Sequence, residues 1–92
     1  MPVTVRLPGA LRDAAGGETK LMVSGGTLRD VIAEIDGRYP GFASRVLDEA
    51  GALRSYVNVY IGEDDARTRG GSDAAVPDGS DVMVIPAMAG GR

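Results

Sequence analysis

The chain has 92 residues, 43% of them hydrophobic and 25% charged, and a formal net charge of −3. One globular domain with a modest core is expected from these values. The absence of histidine and cysteine, with Lys20 as the only lysine, argues against a self-contained enzyme and against thiolate metal sites or disulfides. The acidic balance argues against a nucleic-acid partner. No apolar run suits a membrane span or a signal segment, so an intracellular, cytoplasmic location is expected.

The first segments of the chain predict a β-hairpin. Residues 3–7 alternate apolar and polar side chains, and Pro8-Gly9 ends this strand. A second strand is predicted over residues 18–23, after a turn at Gly16-Gly17. The two strands are expected to pair across a rather long connection.

One main helix is predicted to begin after Thr27 and to end near residues 38–39, ahead of Pro40. Thr27 is a good N-cap residue, and Asp30 places a carboxylate near the exposed N–H groups of the first turn. A single apolar stripe is formed by Leu28, Val31, Ile32 and Ile35. The polar face carries charged residues that we expect to be solvated only, namely Arg29, Glu34 and Asp36.

The second half of the chain predicts further strands. Residues 56–61 give the strongest strand pattern, followed by a turn over 62–65 and a short edge strand over 66–68. A turn over 77–80 precedes the last strand, over 82–85. Before these, a short helical turn is expected to cover one end of the core with Phe42, Val46 and Leu47. We therefore expect a mixed sheet packed against one helix, with the first and last strands side by side.

Most of the last six residues, 87–92, are alanine or glycine, whose side chains contribute little to a packed core. Residues 1–86 are interpreted as the folded domain and residues 87–92 as an extended, flexible tail. Because glycine has no Cβ, the walls of a narrow channel in a partner could approach the backbone closely. A near-terminal Gly-Gly is therefore typical of a chain whose own carboxylate is the reacting group. The residues expected to thread into such a channel are Ala87, Met88, Ala89, Gly90 and Gly91.

Several motifs in the second half occur together in one known family. They are the strand Val57-Asn58-Val59-Tyr60-Ile61, the acidic turn Glu63-Asp64-Asp65, Arg67 with Gly70-Gly71, the turn Pro77-Asp78-Gly79-Ser80, and the ending Val84-Ile85-Pro86-Ala87-Met88-Ala89-Gly90-Gly91. On these residues the chain resembles the ubiquitin-like sulfur carriers that include the MoaD and ThiS proteins. Within that family it is most similar to the CysO carriers of actinobacterial cysteine biosynthesis. The resemblance is specific from Tyr56 onward.

This resemblance implies an α+β fold of the ubiquitin-like β-grasp type and a carrier rather than an enzyme. It implies that Gly91 is adenylated and then converted to a thiocarboxylate, with Gly90 as its spacer. The carrier itself would bind no cofactor and no metal, because ATP and Mg²⁺ are used by the activating partner. The implied partners are an E1-like adenylyltransferase and sulfurtransferase, a sulfur-accepting synthase of the cysteine synthase, thiazole or thiosugar type, and a JAMM-type metalloprotease.

Arg92 departs from the family pattern, in which the reacting residue is the terminal glycine. Three explanations stay open at this point. Arg92 is a precursor residue that a protease removes, or a remnant of cloning, or the chain is not a carrier. The first two keep Gly91 as the working residue. The alternative function is a ubiquitin-like modifier or binding module that acts without sulfur chemistry.

The alternation of the strands also predicts a docking surface. If Val82 and Val84 face the helix, Met83 and Ile85 face the other side, where Tyr60 joins them. Exposed apolar patches often mark interfaces, and ubiquitin-like proteins commonly dock through this face. The alternative is a second, minor core under a loop. The acidic turn is interpreted as solvated rather than as a metal site, and Arg67 and Arg69 as surface charge, with pairing to acidic groups of a partner as the alternative.

Overall fold

A computed structural model of the chain describes residues 2–86. Its α-helices are α1 (Gly9–Arg12), α2 (Leu28–Arg38) and α3 (Phe42–Val46), and its 3-10 helices are Asp13–Ala15, Ala66–Arg69 and Gly71–Asp73. Its strands are β1 (Val3–Arg6), β2 (Lys20–Val23), β3 (Gly26–Thr27), β4 (Val57–Ile61), β5 (Asp64–Asp65), β6 (Ala75–Val76) and β7 (Asp81–Pro86). Over these residues no helix is long and apolar enough to cross a membrane.

Five strands form one mixed sheet in the order β2-β1-β7-β4-β5. The predicted hairpin is confirmed, since β1 and β2 pair antiparallel. The prediction that the first and last strands lie side by side is also confirmed, because β7 pairs parallel with β1. On its other side β7 pairs antiparallel with β4. The chain therefore reaches Pro86 on the central strand. A second sheet of two short strands, β3 and β6, was missed by the sequence reading.

Helix α2 begins with a complete capping box. The Thr27 hydroxyl accepts a hydrogen bond of 3.1 Å from the Asp30 N–H, and the Asp30 carboxylate accepts one of 3.0 Å from the Thr27 N–H. Two N–H groups that a helix start leaves without partners are satisfied in this way. The predicted start is confirmed, although aspartate is shorter than the glutamate that usually completes this motif.

The apolar stripe of α2 packs against one face of the large sheet. Its four predicted residues are all buried, and Phe42 and Val46 of α3 close one end of the same core, as predicted. Leu47 is only partly buried and packs against the edge of this cluster. Complete burial of a Leu, Ile, Val or Phe side chain stabilises a fold by about 1.5–3 kcal/mol, so this one layer holds the sheet and the helices together.

The expectation that the polar face of α2 is only solvated was wrong. Arg29 forms an ion pair of 3.0 Å with Asp73 and donates a hydrogen bond of 3.2 Å to the buried Ser72. Glu34 accepts a hydrogen bond of 3.0 Å from the Ser24 N–H, just after the edge strand β2. Helix α2 is therefore tied to two loops through side chains that periodicity alone places in solvent.

Asp36, the third residue of this face, holds the turn that follows the helix. Its Oδ1 atom accepts hydrogen bonds of 3.1 Å from the Gly41 N–H and 3.0 Å from the Ala43 N–H. Those N–H groups lie at the start of α3 and have no carbonyl of a preceding turn to bond to. The carboxylate takes that place, so it links the end of α2 to the start of α3.

The boundaries after β4 differ from the prediction. The turn is confined to Gly62 and Glu63, with φ of +65° at Gly62, and the edge strand is β5 rather than residues 66–68. Residues Ala66–Arg69 form a 3-10 helix instead. The Asp65 carboxylate explains this, because it accepts a hydrogen bond of 2.9 Å from the Arg67 N–H and caps that helix.

Candidate functional site

The central strand β7 leads the chain to the predicted tail. Its ladder with β4 runs from the pair of Val82 with Ile61 to the pair of Pro86 with Val57. Pro86 is the last residue that the structure describes. The residues predicted to enter a partner, to carry sulfur or to be removed lie outside the described residues, namely Ala87, Met88, Ala89, Gly90, Gly91 and Arg92.

The side chains of β7 alternate between the core and the opposite face of the sheet, which we call the outer face. Val82 and Val84 are buried, whereas Met83 and Ile85 are 44% and 38% exposed. Strand pairing places Tyr60 directly opposite Met83, and Tyr60 is half-buried. The structure thus brings the three predicted docking residues together on one face, close to the end of β7. Their role in docking stays a prediction.

Charged residues lie on both sides of these apolar residues. Arg6 pairs with Met83 across the β1–β7 ladder and with Lys20 across the β1–β2 ladder. On the other side, Asp65 pairs with Tyr60. The outer face therefore runs from basic to apolar to acidic along one row. Each of the five strands contributes one residue to this row, so no local sequence pattern could have revealed it.

Arg67 is held by the fold rather than left as scattered surface charge. Its guanidinium donates hydrogen bonds of 2.8 Å to the Asn58 side-chain oxygen and 2.7 Å to the Arg54 carbonyl. Asn58 lies opposite Ile85, so these contacts brace β4 beside the last residues of β7. Sequence reasoning missed this role because the partners are 9 and 13 residues away along the chain.

The acidic turn is occupied by structural contacts. Asp64 forms an ion pair with Arg69, and Asp65 caps the following 3-10 helix. Within residues 2–86, no group of three or more His, Cys, Asp or Glu side chains could hold a metal ion. The outer face is suited to binding a partner without covalent chemistry. It has an apolar area between two charged margins, and β7 carries the chain from this area to Pro86.

Comparison with known proteins gives consistent matches over the length of the chain. The model of the ThiS family matches residues 5–91. The sulfur carrier protein CysO of Mycobacterium tuberculosis is 40% identical over 93 residues, which cover 99% of this chain and 100% of that protein. Its crystal structure superposes with a TM-score of 0.87 at 38% identity, covering 94% of this chain and 99% of that one.

Two further solved structures are similar. The BexX/CysO complex of Amycolatopsis orientalis contains a chain that matches with a TM-score of 0.89 at 35% identity, covering 94% of this chain and 96% of that one. The small archaeal modifier protein 1 of Methanosarcina acetivorans matches with a TM-score of 0.78 at 26% identity, covering 96% of this chain and 94% of that one. The ubiquitin-like β-grasp class expected from the sequence is confirmed by these neighbours and by the sheet packed on one main helix.

Proposed function

Because the chain belongs to the ThiS family, we propose that it is a sulfur carrier whose Gly91 carboxylate becomes a thiocarboxylate. The observation that carries this proposal is the extent of the family match, which runs through both tail glycines to residue 91. Full-length identity of 40% to a sulfur carrier supports it. In this role the chain is a protein co-substrate for partner enzymes rather than an enzyme.

The proposed chemistry needs no side chain of the carrier. A carboxylate oxygen of Gly91 attacks the α-phosphorus of ATP, pyrophosphate leaves, and an acyl-adenylate forms. Hydrosulfide then attacks the acyl carbon, the C–O bond to AMP breaks, and the product is a thiocarboxylate with release of a proton. Adenylation is required because the oxide of a free carboxylate is too poor a leaving group. ATP and Mg²⁺ are bound by the E1-like adenylyltransferase and sulfurtransferase.

The structure supports delivery of the tail to such a partner. The central strand brings the chain to Pro86 at the end of the β4–β7 ladder, and the exposed Met83 and Ile85 precede it on the outer face. A partner can therefore contact the outer face while it receives the residues beyond Pro86. We propose that Met83, Ile85 and Tyr60 form this contact.

We further propose that the sulfur passes to a biosynthetic synthase of the cysteine synthase, thiazole or thiosugar type. The likeness to a CysO chain solved in complex with BexX supports a direct complex between the carrier and a partner protein. We assign the removal of Arg92 to a JAMM-type metalloprotease, since removal exposes the Gly91 carboxylate.

Intact-mass measurement tests the proposal. Two chains, one ending at Arg92 and one at Gly91, are incubated with the E1-like enzyme, ATP, Mg²⁺ and sulfide, and their C-terminal peptides are mapped. We expect one oxygen to be exchanged for sulfur on the Gly91 chain, and on the Arg92 chain only after addition of the protease. A Gly91 chain that acquires no sulfur and no adenylate would contradict the carrier function.

The second candidate function is that of a ubiquitin-like modifier. The 26% identity to an archaeal modifier protein over 96% of the chain favours it. The same mass measurement separates the two functions when a cell extract is added. A modifier yields isopeptide bonds between Gly91 and lysines of other proteins, whereas a carrier yields the free thiocarboxylate.

A further inference from the structure

A cavity between α2 and the two 3-10 helices that follow β5 contains two arginines from distant segments. Arg29 of α2 and Arg67 of the helix Ala66–Arg69 both line it, and its volume is about 330 Å³. None of the three predicted docking residues belongs to its lining. Because sites for small ligands typically measure roughly 300–1,000 Å³, the cavity has room for a small ligand.

Arg67 carries a positive charge that no ion pair balances. Its guanidinium donates hydrogen bonds of 2.8 Å to the Asn58 side-chain oxygen and 2.7 Å to the Arg54 carbonyl, and both acceptors are neutral. The Asp65 carboxylate accepts a hydrogen bond from the backbone N–H of Arg67, but within residues 2–86 no carboxylate forms an ion pair with the guanidinium. A guanidinium has more N–H donors than these two contacts use, so donors are left for an anion.

Arg29 is paired, but only with an exposed carboxylate. Its Nη1 atom is 3.0 Å from the Asp73 Oδ1 atom, and the two side chains are 50% and 69% exposed. Ion pairs in such contact with water are weak, because water screens them and both side chains lose freedom. Asp73, which also lines the cavity, is therefore a carboxylate that competes with an incoming anion for Arg29.

The buried Ser72 has a hydrogen-bond donor that the fold does not use. Ser72 lines the cavity and is only 6% exposed. Its oxygen accepts a hydrogen bond of 3.2 Å from the Arg29 Nη2 atom, while its hydroxyl hydrogen has no acceptor among the residues that the structure describes. Buried polar groups are rarely left without a partner, since an unmade hydrogen bond lowers stability. An oxygen atom of a ligand in the cavity would accept this bond.

The loop after Asp48 keeps the space beside Arg29 open. A Cβ atom on Gly51 would lie 3.6 Å from the Arg29 Nε atom, and the φ of +84° at this position favours glycine. The Asp48 Oδ1 atom accepts hydrogen bonds of 2.9 Å from the Ala50 N–H and 3.0 Å from the Ala52 N–H. This wall of the cavity is therefore held in place by the fold itself.

We propose that the cavity binds a free tetrahedral oxyanion, phosphate or sulfate, through the guanidinium groups of Arg29 and Arg67 and the hydroxyl of Ser72. Planar guanidinium groups match the geometry of such oxygens, and the hydroxyl supplies one further hydrogen bond. None of the described residues that line the cavity is aromatic, so a nucleotide base would gain no stacking contact there. The inference goes beyond the proposed function, since binding needs neither the tail nor a partner enzyme.

An NMR titration of the full chain, at an ionic strength held constant with sodium chloride, tests the proposal. We expect phosphate and sulfate to shift the backbone amide signals of Gly51, Gly71 and Ser72 saturably, with a Kd on the order of 1 mM. AMP should bind within about twofold of phosphate, and acetate at least about fivefold more weakly. AMP that binds about tenfold more tightly would assign the oxyanion to a nucleotide. Acetate that binds as tightly as phosphate would assign the site to a carboxylate and overturn the proposal.

A gain of affinity is the sharpest test, because loss of folding cannot produce it. Asp73→Asn removes the competing charge and should tighten phosphate binding about threefold or more, since each unit of charge near a bound anion weakens it. Asp13→Asn makes the same change in net charge at an exposed position outside the cavity and should change the Kd by less than about twofold. Equal gains in the two variants would show general electrostatic attraction and overturn the proposal.

The hydroxyl is tested by Ser72→Ala, which removes one oxygen from a buried position. We expect it to weaken phosphate binding about fivefold, whereas Ser44→Ala, at an exposed serine outside the cavity, should leave the Kd unchanged. Thermal unfolding checks that both variants fold. An unchanged Kd in Ser72→Ala together with Asp73→Asn, or shifts in the parent chain that never saturate, would show an adventitious ion only.

Discussion

Met83 and Met22 have the same exposed fraction, 44%, on the same face of the sheet, two strands apart. Met83 lies on the central strand opposite Tyr60, close to the end of β7. Met22 lies on the edge strand opposite Thr4, whose hydroxyl is 3.5 Å from its sulfur. The two methionines are therefore a matched pair for locating the surface that contacts partners.

We predict that Met83→Gln weakens binding to the activating enzyme at least about tenfold, whereas Met22→Gln changes it by less than about threefold. A glutamine at the centre of an interface removes apolar contact and must be desolvated, while one at the margin stays in water, and neither adds a charge beside Arg6. Isothermal titration calorimetry measures both constants, and thermal unfolding checks that the two variants fold equally well. Equal losses of affinity would mean that the outer face near β7 is not the docking surface.

The cross-strand neighbours of Tyr60 determine which substitution of this residue suits the same binding assay. Tyr60 is opposite Asp65 as well as Met83, so an added aspartate would face a like charge and destabilise the hairpin of β4 and β5. Tyr60→Lys avoids this repulsion. It is the better substitution for separating affinity from stability.

Asp30 gives a pH-dependent prediction. Hydrogen bonds from the Thr27 backbone N–H and from its side chain hold the pKa of Asp30 below its ordinary value of 3.8. A lowered native pKa means that the carboxylate stabilises the fold above about pH 3.8 and that this contribution is lost as pH falls through the native pKa. We predict that the parent chain is more stable than Asp30→Asn at pH 7 and that the difference shrinks as the pH falls below 3.8.

Urea unfolding at several pH values measures this difference directly. Thr27→Ala serves as the companion variant, because it removes the N-cap acceptor and should lower stability by about 1 kcal/mol. A difference between the parent chain and Asp30→Asn that is the same at pH 7 and at pH 2 would show that the charge of Asp30 does not contribute through the capping box.

Asp36 gives a prediction about the connection between α2 and α3. Asp36→Ala leaves the N–H groups of Gly41 and Ala43 without their acceptor, and we expect it to lower the free energy of unfolding by about 1–2 kcal/mol. Asp36→Asn keeps a side-chain oxygen and should recover most of the loss. Glu63→Ala, at an exposed turn position, is the matched control and should change stability by less than about 0.5 kcal/mol. Similar losses in Asp36→Ala and Glu63→Ala would contradict the linking role of Asp36.

The sequence predicted the features of this fold that depend on periodicity and on local caps. The stripe of α2, the alternation of β7 and the start of the helix at Thr27 each follow from spacing within one segment. The pairing of the first and last strands was predicted from the order of the elements, and the outer face, on which the structure groups Tyr60, Met83 and Ile85, from strand alternation. The resemblance added the reacting role of Gly91 and docking through the outer face, and both stay predictions.

The features that were missed depend on contacts between distant segments. Asp36, Glu34 and Arg29 read as solvated because helix periodicity says nothing about unpaired N–H groups in the following turn or in a neighbouring loop. A groove beside the last residues of β7 was also missed, because its walls come from the ends of β1 and β7 and Pro8 was interpreted only as the end of the first strand. The edge strand lies at Asp64–Asp65 rather than over residues 66–68. Asp65 caps the 3-10 helix Ala66–Arg69, so these residues do not continue as a strand.

The tail gives the last prediction. Deleting residues 90–92 removes no residue of β7 or of the β4–β7 pairs that the structure describes, so we expect the same unfolding temperature within about 1 °C. The same deletion removes the proposed acceptor of the adenylate, and sulfur transfer should fall to background. Deleting Arg92 alone is the control and should give a fully active carrier without a protease. Sulfur transfer that survives loss of both glycines would contradict Gly91 as the reacting residue, and a large drop in unfolding temperature would show that the tail supports the fold.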